Sequence, residues 1–324
     1  MLRPLAAIAA AVVSVIASTL ATQAEPATYP SRPVRVIVGF AAGSGPDVLA
    51  RAVSAQLGSE LGQNVFVENR TGANGTIGIS AVTQSEPDGY TLLFSSSSIV
   101  PVPYVYKGLS FDVLRDLAPI ATVGILDGYL MLVNPATPVR TVPEFIDYAK
   151  KNRVLYGTPG VGNILHLVTE LFRLRAGIEM DHIPFKGASE VQTALLGQSI
   201  TMMFVTPPSV IGVVKEGQLR ALAYTGVAPF PEFADVPLMK QYYPDFKVSG
   251  SWGMFYAPAK TPRAIVDKLN AAVQKALTVP AVANVTRRAG YVPDGRSAAE
   301  TAEFFRQEVE AAGVAVRKAG IAPN

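Results

Sequence analysis

The chain has 324 residues, of which 49% are hydrophobic and 16% charged, a composition that excludes a disordered chain and suits two domains. A formal net charge of +3 without a lysine and arginine block excludes an electrostatic nucleic-acid binder. The absence of cysteine excludes disulfides, thiol nucleophiles and thiolate metal sites.

At the N-terminus, Met1-Leu2-Arg3 precedes an apolar run from Leu5 to Leu20 and then Ala21-Thr22-Gln23-Ala24, where small residues suit a signal-peptidase cut. Residues 1–24 are therefore expected to be a cleaved signal peptide, with a mature, exported, periplasmic chain starting near Glu25. A membrane anchor would need about 20 apolar residues and a stop-transfer flank. This run is shorter and turns polar, and no other segment reads as a membrane span.

The apolar, β-branched run Arg35 to Val38 reads as a buried strand, and Leu49, Val53, Leu57 and Leu61 at i+4 spacing read as a helix. Between them, Phe40, Gly43, Ser44, Gly45 and Asp47 form a glycine loop at a helix start. Its backbone N–H groups can approach an anion with the positive end of the helix dipole behind them, although a plain strand-to-helix turn also favours glycine. A strand from Asn64 to Glu68 leads through Gly72-Ala73-Asn74-Gly75 to a helix from Thr76, and Pro87-Asp88-Gly89 makes a turn. The strand Tyr90 to Phe94 ends in Ser95, Ser96, Ser97 and Ser98, which puts hydroxyls at the carboxyl end of a strand, the ligand end of open α/β sheets.

From Leu117 to Asn134 two strands cross between lobes, and Thr141 with Glu144 has the capping-box spacing of a helix start. Val154 to Leu167 repeats the strand–glycine loop–helix pattern, with Thr158, Gly160, Gly162 and Asn163 in the loop and His166 on the first helical turn. Strand His182 to Phe185, a helix capped by Ser189, strand Ile200 to Phe204, helix Ile211 to Glu216 and strand Arg220 to Tyr224 continue a βαβα alternation. Phe246 to Ala257 reads as a strand returning to the first lobe, followed by two helices, one opening at Thr261-Pro262 and one at Ser297. The expected fold is α/β, with two lobes built on mostly parallel sheets: lobe 1 from 25–128 and 251–324, lobe 2 from 129–250. The two glycine loops present helix N-termini to one cleft.

Chemistry is sparse. The sequence holds two histidines and no Gly-x-Ser-x-Gly elbow, Walker loop or His-Glu-x-x-His, and Val48 and Leu165 stand where a third dinucleotide-binding glycine belongs. His166 either donates to a bound carboxylate or packs as a structural residue; His182 reads as structural. Asp47 either bonds the first loop's backbone or meets a ligand amine, and Arg51 pairs on a helix face. An alternative reading is an exported serine hydrolase using one of Ser95 to Ser98 with His166 and Asp47.

The two loops and their surroundings resemble the tripartite tricarboxylate transporter substrate-binding family, the Bug-type periplasmic receptors. The matching stretches are Phe40 with Gly43, Gly45, Asp47, Ala50 and Arg51; Val67-Glu68-Asn69-Arg70 with Gly72, Gly75 and Gly78; Pro87 to Leu93; Tyr156-Gly157 with Gly160, Gly162, His166 and Leu167; Pro184-Phe185-Lys186-Gly187; Gly217 with Leu219 to Ala223; and Ala257-Pro258 with Thr261-Pro262. The resemblance implies a venus-flytrap receptor, not an enzyme, that binds no cofactor, metal or nucleic acid. It would close as a monomer on a small carboxylate and deliver it to the membrane components of a tripartite tricarboxylate transporter. It also implies that loops matching Phe40 to Asp47 and Gly157 to His166 hold the carboxylate. The candidate ligand-binding set is Phe40, Gly43, Ser44, Gly45, Asp47, Gly75, Ser95, Ser96, Thr158, Gly160, Gly162, Asn163, His166, Phe204 and Thr206. Departures at Gly39, Ser44, Pro46, Asn163, Leu165 and Thr201 distinguish this chain from the family pattern. Pro46 removes both a hydroxyl and an N–H from the first loop. That lean is toward a carboxylate with an apolar or aromatic body.

Overall fold

The computed structural model describes residues 29 to 246, 248 and 250 to 323. The signal peptide read over 1–24 lies outside the described residues. In chain order the strands are β1 (Val34–Val38), β2 (Val65–Asn69), β3 (Thr91–Ser96), β4 (Leu117–Leu126), β5 (Leu130–Val133), β6 (Leu155–Thr158), β7 (Asp181–Pro184), β8 (Met202–Val205), β9 (Arg220–Tyr224) and β10 (Ser251–Pro258). The longer helices are α1 (Gly45–Leu61), α2 (Thr76–Thr83), α3 (Val142–Ala149), α4 (Ile164–Ala176), α5 (Ala188–Leu196), α6 (Arg263–Thr278), α7 (Pro280–Arg288) and α8 (Ala298–Ala319).

The strands form two five-stranded sheets, ordered β2-β1-β3-β10-β4 and β7-β6-β8-β5-β9, and each sheet with its helices makes one lobe. In each sheet four of the five strands run the same way, as expected of a mostly parallel sheet, and one is reversed. β1 is parallel to β2 and β3, and β6 to β7 and β8, but β10 is antiparallel to both β3 and β4, and β5 to both β8 and β9. The strands that break the pattern are the two that enter a sheet from the other lobe. β5 follows β4, and β10 follows β9, so each arrives from across the cleft instead of through a helical βαβ crossover.

These two crossings pack side by side. Tyr129 N donates to Thr225 Oγ1 at 2.8 Å, Thr225 N returns a bond to Tyr129 O at 2.9 Å, and Val227 N donates to Asp127 Oδ2 at 2.6 Å. Gly128, at φ +85°, has no room for a side chain, because a Cβ there would lie 2.3 Å from Gly226 N.

Local signals explain most helix boundaries. Pro46 sits in the first turn of α1 and Gly62 ends it at φ +67°. Thr141 caps α3, and Ser297 and Glu300 form a reciprocal capping box on α8. Two expectations change. The cap of α5 is Gly187, with Ser189 inside the helix, because Glu190 supplies the acceptor by taking the Lys186 N–H at 3.1 Å. Three C-terminal helices replace the expected two, since Pro280 cannot continue α6 and instead opens α7.

The apolar core is continuous across the lobes. Ile37, Leu93 and Trp252 of the first sheet share one buried cluster with Met131, Tyr156 and Phe204 of the second and with Phe305 and Val309 of α8. Trp252 packs edge-on against Phe304 and Phe305 and donates its Nε1–H to Glu308 at 3.1 Å.

Candidate functional site

The first glycine loop leaves the carboxyl end of β1. Asp47, buried at 2% exposure, organises it by accepting Gly43 N at 2.8 Å, Asn69 Nδ2 at 2.7 Å and Arg51 Nε at 3.0 Å. Asn69 also donates to Phe40 O at 3.0 Å and accepts from Arg51 at 2.8 Å. Burial alone would raise the Asp47 pKa, but the bonds from Arg51, Asn69 and Gly43 outweigh it and hold the carboxyl below its ordinary value. Of the two roles open to Asp47, the geometry gives the loop-holding one. Arg51 pairs with it on the helix face, as the sequence indicates.

The pair is neutral overall, so the loop offers dipoles instead of net charge. The first-turn N–H groups of Gly45 and Asp47 have no i−4 carbonyl within the helix. The Oγ of Ser44, beside them, is buried without a hydrogen-bond partner among the described residues. The Gly75 backbone closes on this loop, within 3.8 Å of Gly39 and of the Phe40 ring as measured from where its Cβ would be.

The second loop leaves β6. Thr158, fully buried, donates its hydroxyl to Gly160 O at 3.1 Å and lies 2.6 Å from His182 Nε2. With its proton on Gly160, the hydroxyl accepts from His182, which places the proton of that ring on Nε2. Asn163 caps α4 by accepting Leu165 N at 3.0 Å, and His166 Nδ1 accepts Gly162 N at 3.2 Å. The His166 and His182 rings stack with centroids 4.1 Å apart, and Tyr156 stacks on His182 at 4.9 Å. Burial pulls the His166 pKa down to about 4. Burial and then the neighbouring His166 do the same to His182. Both rings are thus neutral struts, and His166 is built into the loop through its Nδ1.

Three residues outside the candidate set reach this second loop from the first lobe. Asn74 Nδ2 donates to Gly162 O at 3.2 Å, and Asn163 Nδ2 donates to Asn74 Oδ1 at 3.3 Å and to Ser98 Oγ at 3.1 Å. Tyr106 donates to Val161 O at 2.9 Å. An asparagine between glycines tolerates a left-handed backbone, which was the one signal available for Asn74.

The remaining candidates are placed as follows. Ser95 and Ser96 are the last residues of β3, where Ser95 pairs with Met254 and Ser96 Oγ accepts Ser98 N at 3.3 Å. Thr206 opens the short turn Pro207–Val210 and accepts Ser209 Oγ on its carbonyl at 2.8 Å. Phe204 lies on β8. At 1% exposure its ring packs edge-on against Phe172 of α4 at 5.9 Å, within the apolar core cluster. The hydrolase arrangement is not assembled either, because Asp47 is occupied by Gly43, Arg51 and Asn69, and the nitrogen of His166 that an acid would orient accepts from Gly162.

A sequence model described as the tripartite tricarboxylate transporter family receptor matches residues 49–321. The chain belongs to this family. Among its relatives, Protein BugT of Bordetella pertussis is 36% identical over 300 residues, covering 90% of this chain and 91% of BugT. Two solved structures of Rhodopseudomonas palustris proteins superpose closely. Rpa4515 with adipate has a TM-score of 0.83 at 28% identity, covering 91% of this chain and 100% of that one. MatC with bound malate has a TM-score of 0.79 at 27% identity, covering 89% and 100%. The architecture here is two-lobed α/β, as its likeness to these structures indicates, and in this chain both glycine loops stand at carboxyl ends of strands with a helix N-terminus behind each.

Proposed function

We propose that this family member is an extracytoplasmic solute receptor that captures a small carboxylate between its two lobes and passes it to the membrane components of a tripartite tricarboxylate transporter, without turning it over. In this reading lobe 1 comprises 25–128 and 251–324, lobe 2 comprises 129–250, and the paired crossings at Asp127–Tyr129 and Thr225–Val227 form the hinge. The observation that carries it is the buried, unpartnered Ser44 hydroxyl beside the open first-turn N–H groups of α1. That is a ready acceptor-binding edge with no formal charge of its own, opposite a second helix N-terminus at Asn163–Ile164.

The ligand contacts in this reading come from Phe40, Gly43, Ser44, Gly45, Gly75, Thr158, Gly160, Gly162 and Thr206, while Asp47, Asn163 and His166 hold the loops. Adipate and malate in the two structural neighbours are small dicarboxylates, which supports that ligand class here. Pro46 removes a donor from the first loop and favours a ligand with an apolar body. The test is calorimetric titration of the mature protein with a panel of aliphatic and aromatic mono- and dicarboxylates, alongside the matching methyl esters. Saturable one-to-one binding of a carboxylate, with loss on esterification, is expected. Esters bound as well as acids, or hydrolysed, would overturn the reading.

A further inference from the structure

The two asparagines between the lobes use their amides to the full. Asn74 Nδ2 has two protons and two acceptors, Ser98 O at 3.0 Å within its own lobe and Gly162 O at 3.2 Å across the cleft. Asn163 Nδ2 likewise has two, Asn74 Oδ1 and Ser98 Oγ, while its Oδ1 takes Leu165 N. Every donor is matched, so each amide has one orientation consistent with the network. With Tyr106 on Val161 O, four direct hydrogen bonds join the lobes here, away from the hinge bond between Val227 and Asp127.

The backbone that carries Asn74 is unusual. Gly72, Ala73, Asn74 and Gly75 run at φ +133°, +43°, +53° and +90°, four consecutive residues in conformations that L side chains rarely adopt. Strain of this kind persists where surrounding contacts over-determine it. On the other side, Gly162 at φ +71° comes so close that a Cβ would lie 2.3 Å from Val105 Cγ2. Asn163 and Ser98 are both buried, and Asn74 is half-buried.

We infer that Asn74 is the positioning residue of lobe closure: with Asn163 it forms a polar clasp that holds the lobes together without a ligand and sets how far they close. The inference rests on the receptor reading above and adds to it a ligand-independent component of closure. A receptor that is mostly closed beforehand takes up ligand through its minor open state, so the clasp also slows entry and release.

The absence of cysteine allows a direct test. Ser59 on α1 and Ser189 on α5 are exposed, one in each lobe, and Ser59→Cys with Ser189→Cys gives two sites for spin labels. Inter-label distances are measured in the parent, in Asn74→Gly and in Asn163→Asp. Glycine keeps the left-handed backbone at 74, and aspartate at 163 keeps the cap on Leu165 while losing both donated bonds. Without any carboxylate, the parent is expected to populate mainly one short distance, and either variant is expected to raise the open-to-closed ratio by roughly tenfold, the scale of one to two net hydrogen bonds. A parent that is open without ligand, or folded variants with the parent's distribution, would overturn the clasp. The same labelled parent is then titrated with malate and adipate. Saturable heat of binding in that titration, followed by calorimetry, supports the receptor reading whatever the distances do, and its absence counts against that reading alone, so failure of the clasp and failure of the receptor reading are read separately.

Discussion

The imidazole of His166 lies flat on that of His182, 4.1 Å away and 12° from parallel, and both rings hold the second glycine loop, one through Gly162 N and the other through Thr158 Oγ1. Protonating His166 would put a hydrogen on the nitrogen that accepts Gly162, and protonating either ring would place a charge in a buried stack. The folded-state pKa of each is about 4 against an ordinary value of 6.5, so between these limits the unfolded chain binds more protons. Stability is therefore expected to be greatest above pH 6.5 and to fall as the pH drops toward 4, each histidine contributing a slope of at most about 1.4 kcal/mol per pH unit. Urea unfolding between pH 4.5 and 7.5 checks this, since carboxylates with lowered pKa values act mainly below that range. His166→Asn, which keeps an acceptor for Gly162, should flatten the profile; an unchanged slope would contradict the assignment.

Asp47→Asn tests the first loop. The substitution turns one acceptor into a donor facing Gly43 N–H, Asn69 Nδ2 and the Arg51 guanidinium. Because Arg51 is half exposed and can rehydrate, the expected cost is about 1–3 kcal/mol and not the full penalty of a buried unpaired charge. Denaturant midpoints measure it, and a midpoint equal to the parent's would show that the loop is held by something else.

Gly45→Val probes the ligand path. A Cβ at Gly45 meets nothing within 4 Å, and its backbone is not in the left-handed region, so valine fits the unliganded fold. Gly160, at φ +125°, does not permit such a test. The folded Gly45→Val protein is expected to lose carboxylate affinity by more than about tenfold, or 1.4 kcal/mol. Calorimetry against whichever carboxylate the parent binds decides the matter, and parental affinity would remove the N-terminus of α1 from the site.

Phe204→Ala should behave in the opposite way. Deleting a buried ring that packs on Phe172 is expected to cost about 3–5 kcal/mol while leaving affinity per folded molecule unchanged. A binding defect without a stability defect would return Phe204 to the lining.

Much of this arrangement could be read from the chain because it is local. The run Arg35 to Val38, the glycines after it and the i+4 apolar stripe of α1 lie within one strand–loop–helix unit, and Ser297 with Glu300 caps α8 across three residues. The clasp was not readable in this way. Asn74 meets Gly162 and Asn163 across separations of 88 and 89 residues, and only the closing of one lobe on the other brings them together. The packing of Phe204 on Phe172 was not readable either, because β8 is a four-residue strand buried along its whole length, with no alternation to show which side faces which helix. Antiparallel β5 and β10 were hidden for a related reason. A buried strand reads the same in either direction, and direction here follows from the crossing between lobes.

The central claim is that a carboxylate sits between the two helix N-termini that follow the glycine loops, at Ser44–Asp47 and Gly160–Leu165. Amide hydrogen exchange of the mature protein, with and without a saturating carboxylate, addresses this residue by residue. Protection is predicted at Gly45 and Asp47 in the first lobe and, in the same experiment, at Val161 and Ile164 in the second. Protection confined to one lobe, with Gly45 and Asp47 or Val161 and Ile164 exchanging as without ligand, would contradict it.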